Sequence, residues 1–153
     1  MVTVREATIG DVPAIETCRA GDEVAGPADP RIARYLAGEH HPQQALAPRV
    51  LFVATADGPD GERVLGYTAG HLTRRFDLEG ELQYLYVGLE HRRQGIAAAL
   101  FRALRDWFVE HDAREVCANV STDNDTARAF CLAHGANEMG PYWVSWADVG
   151  AAG

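Results

Sequence analysis

Basic side chains are in short supply: 14 Lys plus Arg stand against 22 Asp plus Glu, a formal charge of −8 at pH 7. Duplex binding needs a surplus of cations to neutralise phosphates, so the balance argues against a nucleic-acid partner and suits a cationic one. Cysteine is scarce as well. Cys18, Cys117 and Cys131 are odd in number and show no CxxC or Cys/His spacing, which indicates neither a disulfide framework nor a zinc site. A reducing cytoplasm fits that usage. The N-terminal stretch has no apolar signal core, and no run approaches the ~18 apolar residues of a membrane span. Repeats, linkers and low-complexity tracts are also missing, so residues 1–153 read as one domain.

What is present is ordinary globular material, 47% hydrophobic and 24% charged. Residues 2–8 alternate as a strand, and Asp11-Val12-Pro13 opens a helix to about Ala20. Residues 21–30 are rich in Gly, Pro and acids and lead to a second helical stretch from Arg31 to Gly38. Val50 to Ala54, the turn at residues 57–61, and Arg63 to Thr73 predict a hairpin. Glu81 to Val87 is a further strand, with strict alternation placing Leu82, Tyr84 and Tyr86 on one face and Glu81, Gln83, Leu85 and Val87 on the other. Gln94 to His111 is a long helix with Ile96, Leu100, Leu104 and Phe108 as its buried stripe. A strand from Arg114 to Ser121, a helix from about Asp123 to Gly135 and closing strands through Tyr142 to Asp148 complete the pattern.

The most informative stretch runs from Val87 to Leu100: a strand, a loop with adjacent arginines, then a helix whose N-terminus lies at that loop. Free N–H groups and a partial positive charge make such an N-terminus an anion site. Gly95 and the small Ala97 and Ala98 allow close approach of a phosphate, and Arg92 and Arg93 add charged donors. There is no GxxxxGK[ST], and the loop cannot satisfy GxGxxG, so neither a P-loop nor a dinucleotide-binding turn is present.

Arg92-x-x-Gly95-x-Ala97, after a strand ending Leu85-Tyr86-Val87, resembles the acyl-CoA signature of the GNAT superfamily of N-acetyltransferases. Asn124-x-x-Ala127-x-x-Phe130-Cys131-x-x-x-Gly135-Ala136 is similar to that family's second signature. The resemblance covers nearly the whole chain. It implies a single α/β (α+β) domain with a mixed, mostly antiparallel sheet of six to seven strands flanked by helices on both faces. It also implies acetyl-CoA as the cofactor, held by backbone groups of Leu85, Tyr86 and Val87, by the loop Arg92, Arg93, Gln94, Gly95, Ile96, Ala97 and Ala98, and by Asn124. A backbone N–H near Val87 would polarise the thioester carbonyl.

Attack by an amine requires its neutral form, and deprotonating a group of pKa ~10.4 at pH 7 costs about 4–5 kcal/mol, so a base is expected. By the same resemblance Glu81 is the leading candidate and Glu79 the second, set against their reading as a solvated acidic stretch. The family's general acid is often a tyrosine, and here that slot holds Cys131, a candidate donor set against the favoured reading of a small, inert core residue; Tyr84, Tyr86, Tyr142 or solvent are the alternatives. The resemblance places Asp22, Glu23 and Asp29 in the segment that shapes the acceptor pocket, where acids could attract an amine; the commoner reading is that they are solvated loop charges. His40 and His41 read as loop residues rather than metal ligands. The run Glu90 to Ala97 also resembles that of aminoglycoside 3-N-acetyltransferases. The expected activity is acetyl transfer to a small cationic amine, aminoglycoside- or polyamine-like. The alternatives are a protein or peptide amine acceptor and a non-catalytic acyl-CoA sensor. A homodimer through the aromatic C-terminal strands is a further expectation.

Overall fold

The computed structural model describes residues 1–152. Seven strands form one sheet: β1 (Thr3–Glu6), β2 (Ala45–Gly58), β3 (Gly61–Thr73), β4 (Gly80–Val87), β5 (Val116–Asn119), β6 (Asn137–Glu138) and β7 (Trp143–Trp146). The spatial order is β1-β2-β3-β4-β5-β7-β6. Every neighbouring pair is antiparallel except β4 and β5. The helices are α1 (Val12–Cys18), α2 (Ile32–Leu36), α3 (Ile96–Glu110) and α4 (Asp125–Ala133). Helices on both faces of one mostly antiparallel sheet match the expected class.

Alternation along β2 builds both halves of the core. Leu51 and Val53 point to one face, where Val12, Ile15, Ile32 and Tyr35 of α1 and α2 cover them. Val50 points to the other, where Phe101, Leu104 and Phe108 of α3 pack with Val116, Ala118, Val144 and Trp146. The expected stripe holds, since Ile96, Leu100, Leu104 and Phe108 are all buried. Contact there is tight: a Cβ on Gly80 would stand 2.6 Å from Phe108, so only glycine allows α3 to lie so close to the start of β4.

Two features of β4 position everything that follows. It pairs with β5 over only three residues, Gly80 with Val116, Glu81 with Cys117 and Leu82 with Ala118. β4 then runs on to Val87 while β5 ends at Asn119, and the sheet opens. The second feature is a bulge. Ala69 of β3 faces Tyr84 but the next residue, Gly70, faces Leu82, so Gln83 is the extra residue.

That bulge overturns the strict alternation expected of this strand. Tyr84 and Tyr86 belong to the α1/α2 face, and Leu85 and Val87 pack on the α3 side. Counting back through the bulge returns Leu82 to the α3 side and puts Glu81 on the face of Tyr84 and Tyr86. Glu81 therefore does not share a face with Val87, because one inserted residue inverts the phase of a period-2 strand.

Candidate active site

Glu81 is 4% exposed. Its Oε1 accepts a hydrogen bond from Arg75 Nε at 2.8 Å and stands 3.9 Å from Nε2 of His71, its partner across β3 and β4. Burial pushes the Glu81 carboxyl above its ordinary range, with Arg75 opposing the shift. Oε2 takes no described side-chain hydrogen bond, and it is not among the sealed unpartnered atoms. A carboxylate of this kind is a stronger base than an exposed one. Arg75 is held from three sides, donating also to the Gln43 carbonyl at 2.9 Å and lying 4.8 Å over the Trp143 ring.

Glu79 does something else. Its Oε1 accepts the backbone N–H groups of Arg114 at 2.8 Å and Glu115 at 3.0 Å, which ties the entry of β4 to that of β5. Those two donors, Glu115 first, lower its pKa. A lowered pKa and a structural clamp do not suit a base, so the second candidate is set aside. Cys131 is buried in one core cluster with Phe101, Ala136 and Trp146, and desolvation raises its thiol to about 11, which fits a core residue better than a proton donor. The segment bearing it is helical, as its pattern predicts, and the side chain faces the core.

The loop expected to hold the phosphates leads from Arg92 into the first turn of α3. Gly95 has φ +77 and caps α3 with no side-chain hydrogen bond. The left-handed conformation favours glycine, and a Cβ there would meet nothing within 4 Å, leaving open space over the first turn. Ile96 is buried, Ala97 and Ala98 are half-buried, and Gln94 and Arg93 are exposed. Arg93 takes φ +64 and makes no described hydrogen bond, so its guanidinium is available to an anion.

Arg92 differs from expectation. Its Nη2 donates to Asp22 Oδ2 at 2.9 Å and its Nε to the Val87 carbonyl at 3.0 Å. Charge it could bring to a phosphate is already matched by Asp22. Asp22 and Asp29, which the sequence leaves open as acceptor-pocket acids or solvated loop charges, both serve β4 tyrosines: Tyr86 donates to Asp22 at 2.8 Å and Tyr84 to Asp29 at 2.9 Å. Burial and these carboxylates push the Tyr86 phenol up to about 12 and raise Tyr84 too, which removes both from the role of ready acid. Asn124 spends its Oδ1 capping α4 through the Ala127 N–H at 3.1 Å, leaving its amide nitrogen for a ligand.

The opened sheet supplies backbone groups. Gly88 N–H donates to the Leu65 carbonyl of β3 at 2.8 Å. Alternation along the strand turns the N–H of Val87 the other way, toward the side where β5 has ended, where its carbonyl already accepts Arg92 Nε. The N–H and C=O of Leu85 turn to the same side, while Tyr86 pairs with Tyr67 of β3. Among the described residues no cluster of three or more His, Cys, Asp or Glu could hold a metal, and no helix is long and apolar enough to cross a membrane.

Beyond its short pairing with β5, β4 carries backbone groups that the sheet does not pair, with the open N-terminus of α3 past one end and the buried Glu81 carboxylate near the other. That arrangement is of the acyl-CoA-dependent acyltransferase class. The chain belongs to the acetyltransferase (GNAT) family, whose profile matches residues 23–136. It is an N-acetyltransferase, and its acyl donor is acetyl-CoA. The fold is similar to that of a GNAT-family protein from Desulfovibrio desulfuricans, at 16% identity and TM-score 0.75 over 97% of this chain and 99% of that one. It is also similar to the PaiA N-acetyltransferase of Thermoplasma acidophilum in complex with coenzyme A, at 15% identity and TM-score 0.70 over 97% and 99%. A ribosomal-protein alanine N-acetyltransferase from Escherichia coli aligns at 21% identity and TM-score 0.68 over 100% and 97%. At these identities the likeness is one of fold. No curated protein sequence matches.

His71, Arg75 and Gln83 escaped the sequence reading. A hairpin register would have found the first: with the turn centred on Phe76, residue 71 falls opposite 81, as Thr73 N–H falls opposite the Glu79 carbonyl. Nothing in the sequence marked Gln83 as a bulge.

Proposed function

We propose that the chain transfers acetyl from acetyl-CoA to a primary amine by direct attack, with Glu81 as general base. The observation that carries the reading is the burial of Glu81 at the middle of the three residue pairs that join β4 to β5, with no described side-chain hydrogen bond on its Oε2. Glu81 Oε2 takes the ammonium proton, directly or through water, and the freed amine attacks the thioester carbonyl in the gap beyond Leu82. The Val87 N–H faces that gap and stabilises the oxygen as charge develops on it. The departing thiolate takes its proton from solvent or from Tyr142, which is 55% exposed and has its carbonyl bonded to Val120 N–H at 2.7 Å, beside the end of β5. Arg93, Gly95 and the first turn of α3 hold the pyrophosphate, and Asn124 contributes its amide nitrogen to the arm.

The acceptor we propose is a small cationic amine, aminoglycoside- or polyamine-like, and what supports it is the charge of −8 carried by a chain whose cofactor is itself anionic. A second reading, a peptide or protein amine, is favoured by the exposed aromatic edge beside Arg75: Phe76 is 52% exposed and meets Trp143 edge-on at 5.0 Å. The protein is placed in the cytoplasm on its cysteine usage. Release of CoA thiol on incubation with acetyl-CoA and a panel of polyamines, aminoglycosides and peptides separates the two acceptors. Binding of acetyl-CoA without turnover of any of them would point to a sensor. All 14 basic side chains are arginine, so no lysine side chain of the protein itself competes as acceptor.

A further inference from the structure

His71 is fully buried, yet its Nε2 has no hydrogen-bond partner. A buried imidazole nitrogen left unpaired costs free energy, so its surroundings must explain it. Its other nitrogen, Nδ1, lies 3.0 Å from the Tyr35 hydroxyl of α2. The atom Nε2 faces is Glu81 Oε1, at 3.9 Å, across a directly opposed pair of β3 and β4. That gap is closed by a small side-chain movement or bridged by one water.

The neighbours decide which nitrogen carries the proton. Arg75 sits on the same carboxylate oxygen, Arg49 of β2 lies 4.9 Å over the Tyr35 ring, and Tyr84 meets that ring at 5.6 Å. Cys117 of β5 lies beside Glu81, its thiol raised to about 12 by burial. Burial, then Arg49 and Arg75, lower the His71 pKa to about 4, so the ring is neutral near pH 7. A neutral ring with Nδ1–H would aim a lone pair at the Glu81 carboxylate. With Nε2–H it aims a donor there, and the Tyr35 hydroxyl donates to Nδ1.

We propose that His71 is a positioning residue for acetyl transfer: oriented by Tyr35, it donates from Nε2 to Glu81 Oε1, which leaves Oε2 turned toward the acceptor amine. The inference rests on the reading of Glu81 as the base. Arg75 and His71 then hold one carboxylate oxygen between them, and the other oxygen does the proton transfer.

The test uses the full-length protein labelled with carbon-13 and nitrogen-15. Long-range proton–nitrogen correlations are expected to show His71 as the neutral Nε2–H tautomer; the Nδ1–H tautomer would overturn the proposal without any variant being made. In His71→Phe the titration midpoint of the Glu81 side-chain carboxyl is expected to rise by about one pH unit, the size of one hydrogen bond to a charged group. His71→Gln, which returns an amide donor, is expected to restore it. An unmoved midpoint in His71→Phe overturns the proposal. In turnover with spermidine, or with an N-terminal peptide if spermidine is not acetylated, His71→Phe is expected to lower kcat with the KM for acetyl-CoA unchanged. The same change made in Glu81→Gln is expected to have no further effect. A full additional loss in that background overturns the role of His71 while leaving Glu81 as the base, whereas wild-type turnover by Glu81→Gln alone removes the base reading itself.

Discussion

Asp22 and Arg92, 70 residues apart in sequence, are joined by an ion pair of 2.9 Å between Oδ2 and Nη2. Arg92 also bonds the Val87 carbonyl, so the first arginine of the proposed cofactor loop is fastened to the fold while the second makes no hydrogen bond among the described residues. The two should therefore differ in solution. Arg93→Ala is expected to weaken acetyl-CoA binding about five- to tenfold at low salt and less at high salt, as one lost phosphate contact would. Arg92→Ala is expected to weaken it less while lowering the melting temperature more. Calorimetric titration of both variants at two salt concentrations checks this, and equal losses of affinity would contradict it.

Gly95 caps α3 at φ +77 beneath open space. In Gly95→Glu the strained backbone, at roughly 1–2 kcal/mol, and the added negative charge both fall on the phosphate site. Acetyl-CoA should then give little or none of the thermal shift that it gives the wild type. An undiminished shift would move the phosphates elsewhere.

Cys131 lies in the core with its thiol raised to about 11. Cys131→Ala is expected to leave kcat within about twofold and to cost roughly 1–2 kcal/mol of stability, through a small cavity. Parallel turnover and denaturant unfolding curves measure both. A large fall in kcat at unchanged stability would return the thiol to the chemistry.

Stability at low pH has a specific source at the start of the chain. Asp11 is held at about 2 by hydrogen bonds from Arg5, against its burial, and it also accepts the Thr8 N–H at 2.7 Å. The unfolded group titrates near ~3.9. Its contribution is therefore present in full above that value and is lost as pH falls through about 2. Asp11→Asn should remove this part of the acid dependence, so its melting temperature should approach that of the wild type as pH falls from 5 to 2.

The division between what was legible in the residues and what was not follows the range of the interactions. The strand, loop and helix that carry the proposed cofactor site could be read because a strand, a glycine and a helix N-terminus lie within a dozen residues, and local pattern suffices to define them. The long helix could be read because its buried stripe recurs at helical spacing. The roles of Arg92, Asp22 and Asp29 could not, since their partners come from other elements: Asp22 meets Tyr86 across 64 positions and Asp29 meets Tyr84 across 55. Glu81 was singled out by position, but its face was misassigned, because a bulge is a property of two paired strands and Gln83 alone does not announce one. His71 stayed hidden for the same reason.

Everything proposed for the chemistry depends on Glu81 accepting the proton of the amine. The most direct measurement is kcat across pH for the wild type and Glu81→Gln, with acetyl-CoA affinity determined in parallel. A raised carboxyl in the wild type predicts an acid limb above the ordinary range of glutamate. In Glu81→Gln we expect that limb to vanish and kcat to fall about 10²- to 10⁴-fold with acetyl-CoA binding unchanged. A variant that keeps the wild-type rate and the wild-type limb would contradict the account.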